Sequence, residues 1–541
     1  MTLIKTGTSL DEDLRASDGA SKRDHPDRPQ LKPSILKRGL RWSDVALLGV
    51  AAAFSPLEIM AINSLSIGHP ERILALIALV WVGGLAVVLG LLRFGVRSTT
   101  AVFSTFLVTA LFMRGGKLLW VFGQPTGWLV MAALLGVTTA LIARTENHHI
   151  LRLIFLSLAV VLASGPIIIL IEKVGERGPD LAIEADHAPI GLSRNPDVFL
   201  VILDGYVGQQ TLATDFGLQN PAIFDALESR GFDVPESAWS SYPSTQSSLP
   251  GLLDMSYPLL AGEGLWPTTS HHLTEMIGGS NSLNTILRAA GYESVMIESG
   301  WSGSSCGPTV DRCVAAPLLD EAMFFVLART VASPSVLESA GYAFTVGSQH
   351  TMNWLLENGP RLSTDDQPNF VFAHVMAPHP PFFLDPTCET IYSRDRSGVL
   401  FSRRADDVDN RRHAYLEQTM CLNDFMIDLS DNLDPSAVVI FVADHGTDQR
   451  NQLARDPSSW SHEDLIERFN IFLAVRGEAD CSVGDRVVSP NIFRRLLSCM
   501  SEETLEDREP RVFKYGGITV VGKPSPVIEV DRDEVLTLLH S

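Results

Sequence analysis

Two acidic residues stand at the ends of two apolar runs that lie far apart in the chain. Asp204 closes the run Asp197 to Leu203 and is followed by Gly205. Asp444, with His445 and Gly446 after it, closes the run Ala437 to Ala443. Carboxylate oxygen and imidazole nitrogen are what a divalent cation such as manganese or zinc takes as ligands. A lone Asp at a strand end is more often a turn former or a helix cap. Two strands that end alike, one of them in Asp-His-Gly, point instead to a metal centre assembled from Asp204, Asp444 and His445.

Between these runs lies Ser240-Ser241-Tyr242-Pro243-Ser244-Thr245-Gln246-Ser247-Ser248-Leu249-Pro250-Gly251, a stretch crowded with hydroxyls. A Ser or Thr hydroxyl is a weak nucleophile at its free pKa. Coordination to a divalent cation lowers that pKa and aims the oxygen for in-line attack on phosphorus or sulfur. Away from a metal, the same stretch reads as a solvated turn that caps a helix. Ser241, Ser244 and Thr245 all remain candidates. A third apolar run, Asn369 to Met376, precedes His379 in Ala377-Pro378-His379-Pro380-Pro381. His379 is a candidate for contact with substrate; its plainer reading is a loop histidine. His374 reads as structural, facing the sheet, and His462 as a weaker candidate for a second contact.

Continuous apolar runs of this length are the pattern of strands buried on both faces. Helical patterns fall between them, at Ser282 to Ala290 and at Tyr415 to Leu429. Strands alternating with helices predict an α/β domain with a mainly parallel sheet flanked by helices. Its ligands should gather at the carboxyl ends of the strands.

The rest of the chain divides by composition. With 541 residues, 45% of them hydrophobic, it exceeds what one core usually organises. Residues 1–41 form a polar tail in which Lys22, Arg23, Lys32, Lys37, Arg38 and Arg41 accumulate. That tail reads as lacking a partner, or as cytoplasmic charge against anionic lipid. Residues 42–172 are dominated by Leu, Val, Ala and Ile. About five transmembrane helices are expected there, at 44–63, 73–92, 99–113, 126–143 and 153–171, each near the roughly 20 residues that span a bilayer. The third is the shortest. Glu58 lies in the first span beside Pro56, either lining a polar cavity or near the interface. Residues 173–195 read as a linker, and 196–541 as an extracytoplasmic catalytic domain.

A basic N-terminus on the cytoplasmic side and an odd number of spans deliver that domain to the opposite face. All six cysteines lie in it: Cys306, Cys313, Cys388, Cys421, Cys481 and Cys499. An even number in an oxidising compartment predicts disulfides, paired in sequential order. No CxxC zinc knuckle occurs. The net charge of -21 argues against nucleic acid as a partner, since phosphate binding needs a clustered basic surface. A transporter would show more helices, internal repeats and polar midplane residues.

The ordered set of Leu203-Asp204-Gly205, the Thr/Ser loop forty residues on, Leu287-x-x-x-Gly291-Tyr292, His379-Pro380-Pro381 and Asp444-His445-Gly446 resembles the alkaline phosphatase/sulfatase superfamily. More narrowly, membrane spans followed by such a domain resemble the lipoteichoic acid synthases and the lipid A phosphoethanolamine transferases. In motif terms the resemblance covers residues 195 to 480, and in the membrane half it extends to layout alone. It implies an alkaline-phosphatase-like fold with Asp204, Asp444 and His445 as metal ligands. It also implies Thr245 as a nucleophile that binds the metal, and His379 as a contact to the substrate phosphate or leaving group.

One departure stands out. The sulfatase motif C/S-x-P-x-R appears here as Ser241-Tyr242-Pro243-Ser244-Thr245, with Thr in place of Arg. The expectation is a membrane-anchored, metal-dependent, sulfatase-like enzyme that transfers or hydrolyses a phospho-headgroup of an envelope lipid or glycan, with one metal ion. It would sit in the plasma (inner) membrane as a multi-pass protein, its domain periplasmic or outside the cell. The alternatives are a sulfatase that uses Ser241 and an inactive envelope scaffold.

Overall fold

Five helices occupy the positions of the five apolar runs in the computed structural model. It describes residues 40–540 apart from 63–67, 117, 118, 120–123, 146, 176–189, 220, 262–266, 332–339, 363–366, 392–407, 478–480 and 517–525. The tail up to residue 39 and most of the expected linker therefore lie outside the described residues. The bundle helices are α1 (Trp42–Ile62), α2 (Pro70–Arg93), α3 (Ser98–Arg114), α4 (Gln124–Arg144) and α5 (His148–Gly175). Among the described residues α1, α2, α4 and α5 are long and apolar enough to cross a membrane, whereas α3 is a shorter apolar helix of 17 residues.

At 1.5 Å per residue α3 reaches about 26 Å, a little less than the roughly 30 Å hydrocarbon core. Its side chains explain how a short helix is kept there. Ala101, Val102, Phe103, Phe106 and Met113 are buried, as are the hydroxyl residues Thr99, Thr105 and Thr109. Phe103 stacks on Phe155 of α5 at 4.4 Å between ring centroids. By contrast α2, α4 and α5 expose Leu79, Leu129, Val160 and Ile171, the pattern of helices solvated by lipid. Each end of the bundle carries an ion pair: Asp44 with Arg152 at 3.6 Å at one end, Glu58 with Arg114 at 2.7 Å at the other. Glu58 is thus a paired charge near the end of its helix.

Beyond the bundle, the strands described first are β1 (Val198–Leu203), β2 (Ser237–Trp239), β3 (Glu293–Ile297), β4 (Arg312–Val314), β5 (Asn369–Val375), β6 (Val438–Val442), β7 (Leu473–Arg476) and β8 (Arg486–Val488). Three of them, β1, β5 and β6, are the strands expected from the apolar runs and lie within a residue of those bounds. Six of them form one sheet in the order β4-β3-β5-β1-β6-β7. All neighbours in it are parallel except β6 and β7, which are antiparallel. Every residue of β1, β5 and β6 is buried, which is why these strands read as unbroken apolar runs rather than as alternating ones. Helices pack on the sheet, among them Ser282–Ala289, whose N-cap Asn281 accepts from the Asn284 amide, and Val408–Asn432. The result is an N-terminal set of apolar helices followed by an α/β domain with a mainly parallel central sheet.

Two further features bear on the site. The short strand β2 pairs with β8 and is tied to the segment after the Asp444 turn, because the Ser240 amide donates to Phe469 O at 2.8 Å. This fixes where the hydroxyl loop begins. The cysteines lie as the pairs Cys306–Cys313, Cys388–Cys421 and Cys481–Cys499. The second of these ties the segment after His379 to the Val408–Asn432 helix.

Candidate metal centre and nucleophile loop

β1 and β6 are adjacent and parallel, so their carboxyl ends present Asp204 and Asp444 side by side. Gly205 follows Asp204 at φ +74°, a left-handed conformation that glycine takes without penalty. Its amide turns back to donate to Asp444 Oδ1 at 3.1 Å. The His445 amide donates to the same oxygen at 2.9 Å. One oxygen of Asp444 is therefore held by two N–H groups, and the other, Oδ2, is buried with no hydrogen-bond partner among the described residues. Asp204 Oδ1 is buried and without a partner in the same way.

The His445 ring completes the cluster. Its Nδ1 lies 2.9 Å from Gly446 O, a geometry that assigns the proton to Nδ1 and leaves the Nε2 lone pair free. That Nε2 sits 3.3 Å from Asp444 Oδ2, 3.7 Å from Asp204 Oδ1 and 3.2 Å from Thr245 Oγ1. The ligand atoms of Asp204, Asp444 and His445 all lie within 4.8 Å of one another. Burial, reinforced by the Arg468 guanidinium, lowers the imidazole pKa to about 4, so the ring is neutral and able to ligate at neutral pH. Burial alone would raise the Asp204 carboxyl, but the imidazoles of His379, His374 and His445 outweigh it and hold the group below the usual carboxylate range. Two buried carboxylate oxygens without partners, facing an unprotonated imidazole nitrogen, form a cradle whose charge and donor set fit a divalent cation.

The hydroxyl loop is sorted by the structure. Thr245 is the first residue of the Thr245–Leu253 helix, only partly buried, and its Oγ1 faces His445. The helix N-terminus there favours negative charge developing on that oxygen. Ser244 Oγ is occupied by the Tyr515 hydroxyl at 2.7 Å, and Tyr515 also holds Ser247. Ser241 is fully buried, with its amide and hydroxyl beside Ser489 Oγ at 3.3 and 3.4 Å. His379 lies at the rim, its ring centroid 6.2 Å from that of His445. His374 is closer than its sequence reading suggests: fully buried, its Nε2 lies 3.4 Å from Asp204 Oδ2. His462 lies apart, 3.8 Å from Glu534 and partly exposed.

The chain belongs to the sulfatase family. The family model described as Sulfatase matches residues 196–467, half of the chain, and the chain is accordingly an enzyme of the sulfatase-like hydrolase or transferase type. No curated protein sequence matches it. Among solved structures it is similar to the C-terminal periplasmic domain of EptC from Escherichia coli in complex with Zn, at 12% identity and TM-score 0.40, over 64% of this chain and 96% of that one. It is also similar to the soluble domain of lipooligosaccharide phosphoethanolamine transferase A from Neisseria meningitidis, at 15% identity and TM-score 0.36, over 57% and 90%. A third is the phosphonate monoester hydrolase SpPMH from Silicibacter pomeroyi, at 14% identity and TM-score 0.37, over 61% and 81%.

In this sulfatase-family chain a guanidinium from a distant part of the sequence reaches the Ser241-x-Pro-x-Thr245 segment. Arg468, buried in the His462–Phe469 helix, donates through Nε to Pro243 O at 2.7 Å and through a terminal nitrogen to Gly446 O at 2.9 Å. It thereby stitches the hydroxyl loop to the Asp444–Gly446 turn. Gly446 is required at that seam, because a Cβ there would collide with the Glu467 carbonyl. Nothing in the sequence marks Arg468; an arginine on an amphipathic helix reads as solvent-facing. Arg468→Ala leaves the buried Pro243 carbonyl without a donor and Gly446 O with the His445 ring alone, and a loss of about 2 kcal/mol is expected. Arg468→Lys recovers little, since one ammonium cannot reproduce the planar fork. The thermal unfolding midpoint of the detergent-solubilised protein measures both.

Proposed function

We propose that this sulfatase-family protein acts on phosphodiester headgroups of envelope lipids or glycans and carries the headgroup covalently on Thr245. The observation that supports this most directly is the 3.2 Å approach of Thr245 Oγ1 to His445 Nε2, inside a cluster that neither Ser241 nor Ser244 enters. Asp204, Asp444, His445 and the Thr245 hydroxyl would hold a divalent cation, manganese or zinc, that lowers the hydroxyl pKa and offsets charge on the nonbridging oxygens.

The remaining steps fall to the chain's own groups. Thr245 Oγ1, its proton released to solvent, attacks phosphorus, the bond from phosphorus to the leaving alcohol breaks, and an ester to Thr245 forms. His379, at the rim beside His445, would give a proton to the departing oxygen. Its Nδ1 lies 2.5 Å from Pro380 O, which leaves Nε2 for the substrate side. Water or an acceptor hydroxyl, giving its proton back to His379, then attacks phosphorus from the side that the first alcohol left, and Thr245 departs and takes up a proton from solvent. Arg468 holds Pro243 and Gly446 so that the nucleophile and the ligand turn keep their spacing through both steps.

The bundle supports a multi-pass protein of the plasma (inner) membrane, with residues 1–41 cytoplasmic, 42–172 membrane-embedded, 173–195 linking and 196–541 catalytic outside the cytoplasm. With α3 counted, five apolar helices lie among the described residues, an odd number, and the three disulfides suit an oxidising side. Intact-mass analysis after incubation with phospholipid vesicles is the test. A headgroup-sized adduct mapping to the peptide that carries Thr245 is expected. An adduct on Ser241 or Ser244 overturns the assignment.

A further inference from the structure

The segment 315–331, Ala-Ala-Pro-Leu-Leu-Asp-Glu-Ala-Met-Phe-Phe-Val-Leu-Ala-Arg-Thr-Val, is strongly apolar for a loop and helix that leave the edge strand of a soluble sheet. Its helix, Glu321–Arg329, is capped by Asp320, whose carboxylate accepts from the Met323 amide at 2.9 Å. One face, Ala322, Met323 and Val326, packs with Ile59 of α1 and Ile73 of α2, and Met60, Leu76 and Ile77 border that cluster. Polar ties frame it. Arg72 binds Asp320 at 2.9 Å and the carbonyls of Pro317 and Ala316 at 2.8 and 3.1 Å. Arg329 joins Glu58 at 3.1 Å, alongside Arg114, and the Val331 amide donates to Phe112 O at 2.8 Å.

These contacts set the depth of the helix. It lies against the first two turns of α2 and the last turn of α1, beside side chains that begin the apolar spans. Yet the bundle covers only one of its faces. Leu318 is 70% exposed, Phe325 41% and Leu319 37%, so three large apolar side chains on this segment look away from the protein at the level where the spans begin.

We propose that residues 315–331 form an interfacial membrane element, with Leu318, Leu319 and Phe325 seated at the headgroup–acyl boundary of the leaflet on the catalytic side. Lipid is the one occupant the contacts favour, because the exposed face is continuous with the lipid-facing surface of the bundle, and a short apolar helix lying in the interface plane binds by burying such a face. The seat connects to the catalytic cluster through few residues. The Glu321 amide donates to Gly300 O at 2.9 Å, and the Ser302 amide to the Glu321 carboxylate at 3.3 Å. Between them Trp301 meets His374 edge-on at 5.8 Å, and His374 lies beside Asp204. The catalytic domain is thus rooted in the leaflet within a few side chains of its reactive cluster, so lipid headgroups need not leave the membrane surface to be reached. That last point rests on the function proposed above; the seat itself rests on the bundle crossing the membrane.

Nitroxide labels at Leu318→Cys and Phe325→Cys in the full chain, reconstituted in phosphatidylethanolamine/phosphatidylglycerol nanodiscs, test it. Leu129→Cys on α4 serves as the lipid reference and Met420→Cys, exposed on the Val408–Asn432 helix, as the aqueous one. Collisional relaxation by oxygen and by a water-soluble nickel chelate is measured at each. Positions 318 and 325 are expected to favour oxygen as position 129 does. If they match position 420 while 129 reads as lipid, the seat is overturned and the membrane reading stands; if 129 also reads as aqueous, both fall. A paired Leu318→Glu/Phe325→Glu variant is expected to lose about tenfold in rate on vesicle lipid while keeping its rate on a soluble aryl phosphodiester. Equal loss on both substrates points to misfolding of the segment and overturns the lipid contact.

Discussion

Asp444→Asn is expected to abolish metal retention and at the same time to make the metal-free protein more heat-stable. The two effects come from one geometry. Asp444 Oδ2 and Asp204 Oδ1 are both buried without partners and face each other across His445. Without a cation, two carboxylates confined there repel and lack the solvation that water would give them. Replacing one by a neutral amide removes the repulsion and keeps an oxygen for the Gly205 and His445 amides. It also removes a negative ligand on which the cation depends. Wild type should gain thermal stability on adding manganese or zinc, by about 4 kcal/mol at a thousandfold excess over the dissociation constant. The variant should start higher than metal-stripped wild type, gain almost nothing, and lose on the order of 10³ in kcat. Scanning fluorimetry with chelator and with added metal, alongside elemental analysis, measures this. A variant that responds to metal as wild type does removes Asp444 from the ligand set.

The second large effect concerns the nucleophile. Thr245→Ala should lower kcat on phospholipid by on the order of 10⁴, in the range found when a covalent nucleophile is deleted, and the mass adduct should vanish. Thr245→Ser preserves the hydroxyl and should retain measurable turnover. Ser241→Ala and Ser244→Ala serve as the internal comparison: their hydroxyls are engaged by Ser489 and Tyr515, so adduct formation should survive both. A Ser241→Ala variant as inactive as Thr245→Ala would return the sulfatase reading of that loop to first place.

Much of the frame was legible before any coordinates. β1, β5 and β6 are continuous apolar runs because both their faces are covered, and their ends put Asp204 and Asp444 together once the strands are neighbours and parallel. Adjacency itself could not be read: β5 and β6 flank β1 although long stretches of chain separate them. The antiparallel edge strand β7 and the three-residue strands β2 and β8 carry too few residues for a period to show. Ser241, Ser244 and Thr245 looked equivalent because their difference is one of partners, and those partners, Ser489 and Tyr515, lie some 250 residues away in sequence. The places of Arg468 and His374 are hidden from the sequence for the same reason, since burial in a crowded site leaves no local pattern. The 315–331 segment carries no mark of its place in the sequence, since an apolar helix is ordinarily core, and only its neighbours show that it meets the bundle.

The Arg468 fork also has a mechanical meaning. It binds Pro243 and Gly446 from a single planar group, so the strand-end turn and the head of the Thr245–Leu253 helix are braced as one piece with little play between them. Such a piece has no internal joint to close over a substrate. Selectivity and pacing would then fall to whatever governs the approach of substrate at the rim where His379 stands, and stiffening that rim should alter turnover more than stiffening the braced interior.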